Sequence, residues 1–126
     1  MNTMTTEYRF EESDTERLEM MSGAEFDDLP FGVIRLDTAG RVLAYSRAES
    51  LYSGLKPQHV IGRDFFRELA PCANTAKFLG KFKDGVAKGA IDTTFDYTFT
   101  RLSEPSVRIH MLKAPGEDFW LLIERV

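Results

Sequence analysis

At 126 residues, with 43% apolar and 12% aromatic content, the chain is long and apolar enough to close one globular core, which excludes a disordered segment. A net charge of −4 supplies no basic stripe for nucleic acid, and no apolar run approaches the ~20 residues of a membrane span. The single cysteine excludes an intramolecular disulfide, and the polar first thirteen residues lack the apolar stretch of an export signal, so a cytoplasmic protein is expected.

Residues 1–28 read as a helical N-terminal cap and residues 29–126 as the core of one domain. Ser13-Asp14-Thr15-Glu16 is a capping-box pattern. Leu18, Met20 and Met21 give the short helix that follows something to bury, and Ser22-Gly23 stops it. A second brief turn runs from Ala24 to Leu29, before Pro30. The segment carries no chemistry; marginal alone, it docks on the main fold by its few apolar residues.

Phe31 to Leu36 reads as a strand, Asp37-Thr38-Ala39-Gly40 as a turn and Arg41 to Tyr45 as a second strand, together a hairpin. Ser46 N-caps a helix that Gly54 ends, and Pro57 to Gly62 is a further small turn. Asp64 N-caps one helical turn whose apolar side is Phe65, Phe66 and Leu69. Pro71 biases Ala70 away from helical geometry, so Cys72 sits where the backbone turns, its N–H without an intrahelical acceptor. A thiol beside free backbone donors and two phenylalanines suits covalent anchoring.

Asn74-Thr75 is expected to cap the one long helix, Ala76 to Lys88, with Phe78, Leu79, Phe82 and Val86 as its buried stripe and Gly89 as its stop. The pattern then changes to period two. Thr93, Phe95, Tyr97 and Phe99 share one face of a strand, and Val107, Ile109 and Met111 one face of the next. Ala114 to Asp118 turns the chain into a last strand, Phe119 to Val126. Short connections favour antiparallel pairing. The fold class is therefore α+β: a five-stranded antiparallel sheet of PAS type flanked by helices, with the short helices and Cys72 over one sheet face and a pocket between.

Taken alone, the candidate residues keep ordinary readings. A lone cysteine beside phenylalanine is a small buried hydrophobe in most settings. Ser46-x-x-Glu49 is also a capping box, in which Glu49 bonds the Ser46 N–H. Tyr45 fits a strand aromatic. His59 and His110 read as surface residues, and no His or Cys lies at metal-ligand spacing, so no metal is assigned. A thiol enzyme is disfavoured, because no His or carboxylate forms a nucleophile pattern with Cys72.

Phe-Gly-x-Ile-x-Leu-Asp (31–37), Tyr45, Glu49, Val-Ile-Gly-x-x-Phe-Phe (60–66), Ala-Pro-Cys (70–72), Gly-Lys-Phe-Lys-x-Gly-Val-Ala (80–87) and Tyr-Thr-Phe (97–99) resemble the photoactive yellow protein family. The likeness runs from about Leu29 to Val126 with nearly constant spacing. It implies a blue-light receptor of PAS fold carrying p-coumaric acid (4-hydroxycinnamic acid) as a thioester. By that resemblance Cys72 holds the pigment, Tyr45 and Glu49 hydrogen-bond its phenolate, and Ser53 bonds the Tyr45 hydroxyl where the family usually has Thr. Phe65, Leu69, Ala70 and Phe99 wall the pocket.

Four positions depart from the family pattern: Leu55 stands for a shielding Arg, Ser103 for a Met that assists recovery, Tyr52 for a smaller aliphatic residue near the phenolic end, and Arg101 for a Tyr. One residue is also missing after Pro105. These bear on colour and recovery rate.

A phenol has a reference pKa of ~10, so a buried phenolate needs donors that favour the charged form. Tyr45 is one donor. A carboxyl is another only when protonated, the form that an apolar surrounding favours. The mechanism expected from the resemblance is that light isomerises the pigment from trans to cis, the phenolate takes the Glu49 proton, and the N-terminal cap loosens as the signal. The expected partner is a downstream signalling protein that the sequence does not identify, and the chain is expected to be a monomer or weak dimer. The competing reading is a PAS sensor or dimerisation module with no covalent pigment. The joint presence of Tyr45, Glu49 and Cys72 separates the two.

Overall fold

The computed structural model describes residues 17–98 and 107–125. Five strands form one antiparallel sheet: β1 (Gly32–Leu36), β2 (Val42–Tyr45), β3 (Asp92–Tyr97), β4 (Val107–Lys113) and β5 (Phe119–Arg125), in the order β2-β1-β5-β4-β3. After a helical stretch at residues 17–20 come α1 (Gly23–Asp27), α2 (Arg47–Ser53), α3 (Pro57–Val60) and α4 (Leu79–Lys88). Between α3 and α4 lie a wide π-type turn (Phe65–Leu69) and a 3-10 turn (Pro71–Ala73). The PAS-type α+β fold expected from the sequence is the fold observed.

The β1–β2 hairpin closes as its turn residues dictate. The Asp37 carboxylate accepts from the N–H groups of Ala39 and Arg41, both at 2.9 Å. β1 and β5 then pair as the centre of the sheet, Ile34 opposite Leu121 and Arg35 opposite Trp120.

Side-chain alternation splits the sheet between two cores. Ile34, Leu36, Ile109, Met111, Phe119, Leu121 and Ile123 face the helices and Cys72. Val33, Leu112, Trp120 and Leu122 face the other way, against Leu18, Met21, Phe26 and Leu29 of the N-terminal segment. Helices over one face alone were expected; the second face is covered as well. Leu112, on the face opposite Met111, is 2% exposed because this second layer buries it.

Other expectations change for similar reasons. His110 is buried rather than superficial, and its Nε2 lies 2.8 Å from Asp92 Oδ1. Ser22-Gly23 does not merely stop a helix: residues 17–20 are helical, and Ser22 caps the next helix, α1, in a complete capping box. Met20 is exposed, leaving Leu18 and Met21 to make the apolar contact. The proposed Ser13–Glu16 box lies outside the described residues.

The long helix begins at Leu79, three residues later than expected. The expected Asn74-Thr75 cap is not formed: Phe78 is the N-cap and no side chain caps α4, while the Thr75 hydroxyl accepts from Phe78 N–H at 3.3 Å within the preceding turn. Residues 76–78 form a turn instead of helix, and they deliver the Phe78 ring, fully buried, into an aromatic cluster with Phe65, Phe66, Phe95 and Tyr97 at centroid distances of 5.1–5.9 Å. Edge contacts of this kind outweigh one more turn of intrinsically weak helix.

Candidate pigment site

Two chain segments build the site, and each is placed by its own cap. The first follows β2. Tyr45 ends the strand, and Ser46 turns the chain at φ −73°, ψ 160° to start α2. The Ser46 hydroxyl, fully buried, accepts from Glu49 N–H at 3.3 Å and from Val33 N–H at 2.9 Å. Its own N–H donates to the Val33 carbonyl at 2.9 Å.

That last bond decides the ordinary reading of Glu49. In a complete capping box the third helical residue returns a bond to the N-cap N–H. Ser22 and Glu25 do this on α1, with Ser22 N–H to Glu25 Oε1 at 3.0 Å. At Ser46 the N–H belongs to Val33 instead, and α2 shows only the half of the box made by the serine. The Glu49 carboxyl turns inward against Gly32, with the residue 5% exposed. A side chain on Gly32 would begin inside the contact distance of Glu49 Oε1 and 3.1 Å from its Cδ. A glycine inside a strand signals such a close approach, so this partner was detectable but went unread.

At the far end of α2, Gly54 takes a left-handed φ of 81° and stops the helix. The Tyr45 hydroxyl lies 2.9 Å from Ser53 Oγ, which also accepts from Leu55 N–H at 3.1 Å. Ser50 Oγ donates to the Leu55 carbonyl at 2.6 Å, so the Leu55 backbone is held at both its polar groups.

The second segment carries the thiol. Asp64 Oδ1 accepts from the N–H groups of Phe66 and Arg67, each at 3.0 Å. The turn is wide: Ala70 N–H reaches back five residues to Phe65 O at 2.8 Å. Pro71 forces Ala70 to φ −135°, ψ 70°, and the chain tightens into the 3-10 turn that holds Cys72. The thiol is free and half-buried against the main core. As a first-turn residue Cys72 has no acceptor for its N–H within that turn. Its carbonyl accepts from the Tyr97 hydroxyl at 2.5 Å, which also lies 3.0 Å from Thr75 Oγ1. The alternating pattern of β3 does not reveal this bond, because the partner is 25 residues away in sequence.

The structure brings Tyr45, Leu55, Phe65, Leu69, Ala70 and Cys72 onto one core cluster, on the helix side of the sheet. Glu49, on α2, is buried against Gly32 of β1. Tyr52 departs from the set: it is 48% exposed on α2, because an outward position of a seven-residue helix cannot also face the core. Phe99, Arg101 and Ser103 lie outside the described residues. Among the described residues no cluster of His, Cys, Asp and Glu is placed to hold a metal, and no helix is long and apolar enough to cross a membrane.

Chemically, the arrangement offers one anchorable thiol, one buried carboxyl not consumed by its helix cap, and a tyrosine hydroxyl in a chain of hydroxyls. A model of the PAS fold matches residues 20–126. The photoactive yellow protein of Rhodothalassium salexigens is 44% identical over 108 residues, covering 84% of this chain and 86% of that one. That of Rhodobacter capsulatus is 38% identical over 118 residues, covering 92% and 95%. In structure, the photoactive yellow protein domain of the sensor histidine kinase Ppr from Rhodospirillum centenum matches with a TM-score of 0.80 and 40% identity, over 86% of this chain and 97% of that chain. The PAS domain of the Cronobacter turicensis RpfR quorum-sensing receptor, at a TM-score of 0.65 and 17% identity, shares the fold alone. The chain belongs to the photoactive yellow protein family.

Proposed function

We propose that this chain is a blue-light photoreceptor whose Cys72 carries p-coumaric acid as a thioester. The observation that carries the reading is that Val33 takes the Ser46 N–H, so the buried Glu49 carboxyl of α2 lies inward against Gly32 rather than closing a capping box. The residues fit an aromatic acid. Tyr45 and Cys72 share one apolar cluster with Phe65 and Leu69, and Glu49 is buried next to it.

Attachment is an acyl transfer. Cys72 Sγ forms the new carbon–sulfur bond to an activated coumaroyl donor, and the donor's leaving group departs with the thiol proton. The cysteine is then an anchor, neither a redox group nor a catalytic nucleophile. When bound, the pigment supplies blue absorption and a trans-to-cis isomerisation.

The protein's part is to hold and move protons. The Tyr45 hydroxyl donates to Ser53 Oγ, and turning that proton into the site would make Tyr45 a donor to the phenolate. With the pigment bound, Glu49 would be the residue that hydrogen-bonds the phenolate oxygen and supplies the proton which that oxygen takes up on illumination. Glu49 is 5% exposed, so a new charge there is costly to keep out of water. Loosening of the N-terminal segment and entry of water relieve that cost, and the loosened state is the signal to a downstream protein.

The test is direct. Protein incubated with activated p-coumarate acquires a visible band and one coumaroyl mass adduct, and Cys72→Ala acquires neither. A sample that stays colourless, or a variant that still labels, rejects the reading.

A further inference from the structure

We propose that Glu19, Arg35, Trp120 and Asp118 form an ionic clip that fastens the N-terminal segment to the sheet, and that the strength of this clip sets how readily the segment leaves the face opposite Cys72. Glu19 divides its carboxylate between two strands. Oε1 lies 3.1 Å from Arg35 Nη2, and Oε2 accepts from Trp120 Nε1–H at 3.0 Å. Arg35 and Trp120 are register partners on β1 and β5, so one side chain spans the central strand pair.

Arg35 is fixed from its other side. Its Nε donates to Asp118 Oδ2 at 2.9 Å, and its Nη2 is 2.7 Å from the same oxygen. The guanidinium carbon stands 5.0 Å from the Trp120 ring centre, and Phe26 of α1 lies 6.2 Å from that ring. The side chains of Arg35 and Glu19 are 26% and 27% exposed, shielded enough to exceed a surface pair and open enough to feel salt. The segment is also held by apolar contacts of Leu18, Met21, Phe26 and Leu29 with this face, and at α2 by the Asp27 carboxylate, which accepts from Arg47 N–H at 3.1 Å. The clip adds directional contacts to the central strand pair itself.

One cation serves two carboxylates. Loss of Glu19 leaves the Arg35–Asp118 pair intact, whereas loss of Arg35 leaves two carboxylates without their shared partner. Arg35 also sits on the strand that touches the pigment site: Gly32 meets Glu49, and Val33 bonds Ser46 while its side chain packs in the segment's core. A light signal carried along β1 to the clip rests on the photoreceptor reading above; the clip itself does not.

The experiment is hydrogen exchange by mass spectrometry on the full, pigment-free chain in the dark. Glu19→Gln should speed exchange of residues 17–29 about tenfold while β4 stays unchanged. Arg35→Gln should speed it more. High salt should accelerate the wild type and move Glu19→Gln less. Fluorescence of Trp120, the single tryptophan, should shift in both variants. Wild-type exchange in Glu19→Gln, or a salt response equal in the two proteins, overturns the clip. In pigmented protein the same exchange is read with and without light: a coloured sample whose segment ignores illumination overturns the link to the clip, whereas failure to take up pigment overturns only the photoreceptor reading.

Discussion

The carboxyl of Glu49 rests on the Cα of Gly32, where a side chain would begin 3.1 Å from Cδ and 3.3 Å from Cβ of the glutamate. The inward pose of the carboxyl thus depends on a missing methyl group one strand away. Gly32→Ala should push the carboxyl out of place and cost about 1–3 kcal/mol, the usual range for overpacking. Urea unfolding measures the loss. In pigmented protein the visible band should move as well, and a variant with wild-type stability and colour would show that Gly32 does not position Glu49.

Glu49→Gln tests the proton itself. The amide can still donate a hydrogen bond, so the coumaroyl adduct should form. It is a weaker donor than a carboxyl, so the phenolate is less stabilised and the band should shift to longer wavelength. With no proton to release, the light-driven opening should shrink. An unchanged spectrum would remove Glu49 from the site.

Ser46→Ala removes one oxygen that serves two buried N–H groups, those of Val33 and Glu49. The expected cost is about 1–3 kcal/mol, more than a surface cap, because the orphaned donors are shut away from water. Ser22→Ala, at an exposed cap, should cost less. Denaturant midpoints for the two variants, side by side, check the ordering.

Tyr97→Phe deletes the hydroxyl bonded to the Cys72 carbonyl and next to Thr75. The fold should survive with a loss of about 1 kcal/mol. The 3-10 turn should loosen, and Cys72 of the pigment-free protein should then react faster with a thiol-alkylating reagent. An equal alkylation rate would mean that the turn is held by Pro71 and packing alone.

The capping box of α1 predicts a pH dependence. The Ser22 N–H, and then the Ser22 hydroxyl, hold the Glu25 carboxyl below its ordinary value of 4.5. Because the folded value is the lower one, the box stabilises α1 above pH 4.5, and that contribution is lost as pH falls through the depressed folded value. Exchange of the Ser22 amide should rise across that acid window in the wild type and stay flat in Glu25→Gln.

What was legible in the sequence was local. Ser46, Asp64 and Gly54 announce helix ends through short-range hydrogen bonds and backbone freedom, and each lies where its residue type requires. Pro71 similarly places Cys72 at a turn, because ring sterics act on the neighbouring residue alone. The long helix was read three residues too early because Phe78 answers to four aromatic partners, some nearly twenty positions away. His110 reads as a surface residue because alternation distinguishes two faces of a strand without saying that both are covered.

By itself, then, the order of residues determined the strands, the caps, the turn at Cys72 and the family likeness of Tyr45, Glu49 and Cys72, since all of these are written in short-range chemistry or in residue identity. Only the tertiary structure decided that Val33 takes the Ser46 N–H and leaves the Glu49 carboxyl on Gly32, that Tyr97 grips the Cys72 carbonyl, and that Glu19 reaches Trp120 across 101 positions. Each of these depends on which groups the packed sheet brings within about 3 Å, a distance that hydrogen bonds demand and that spacing along the chain does not encode.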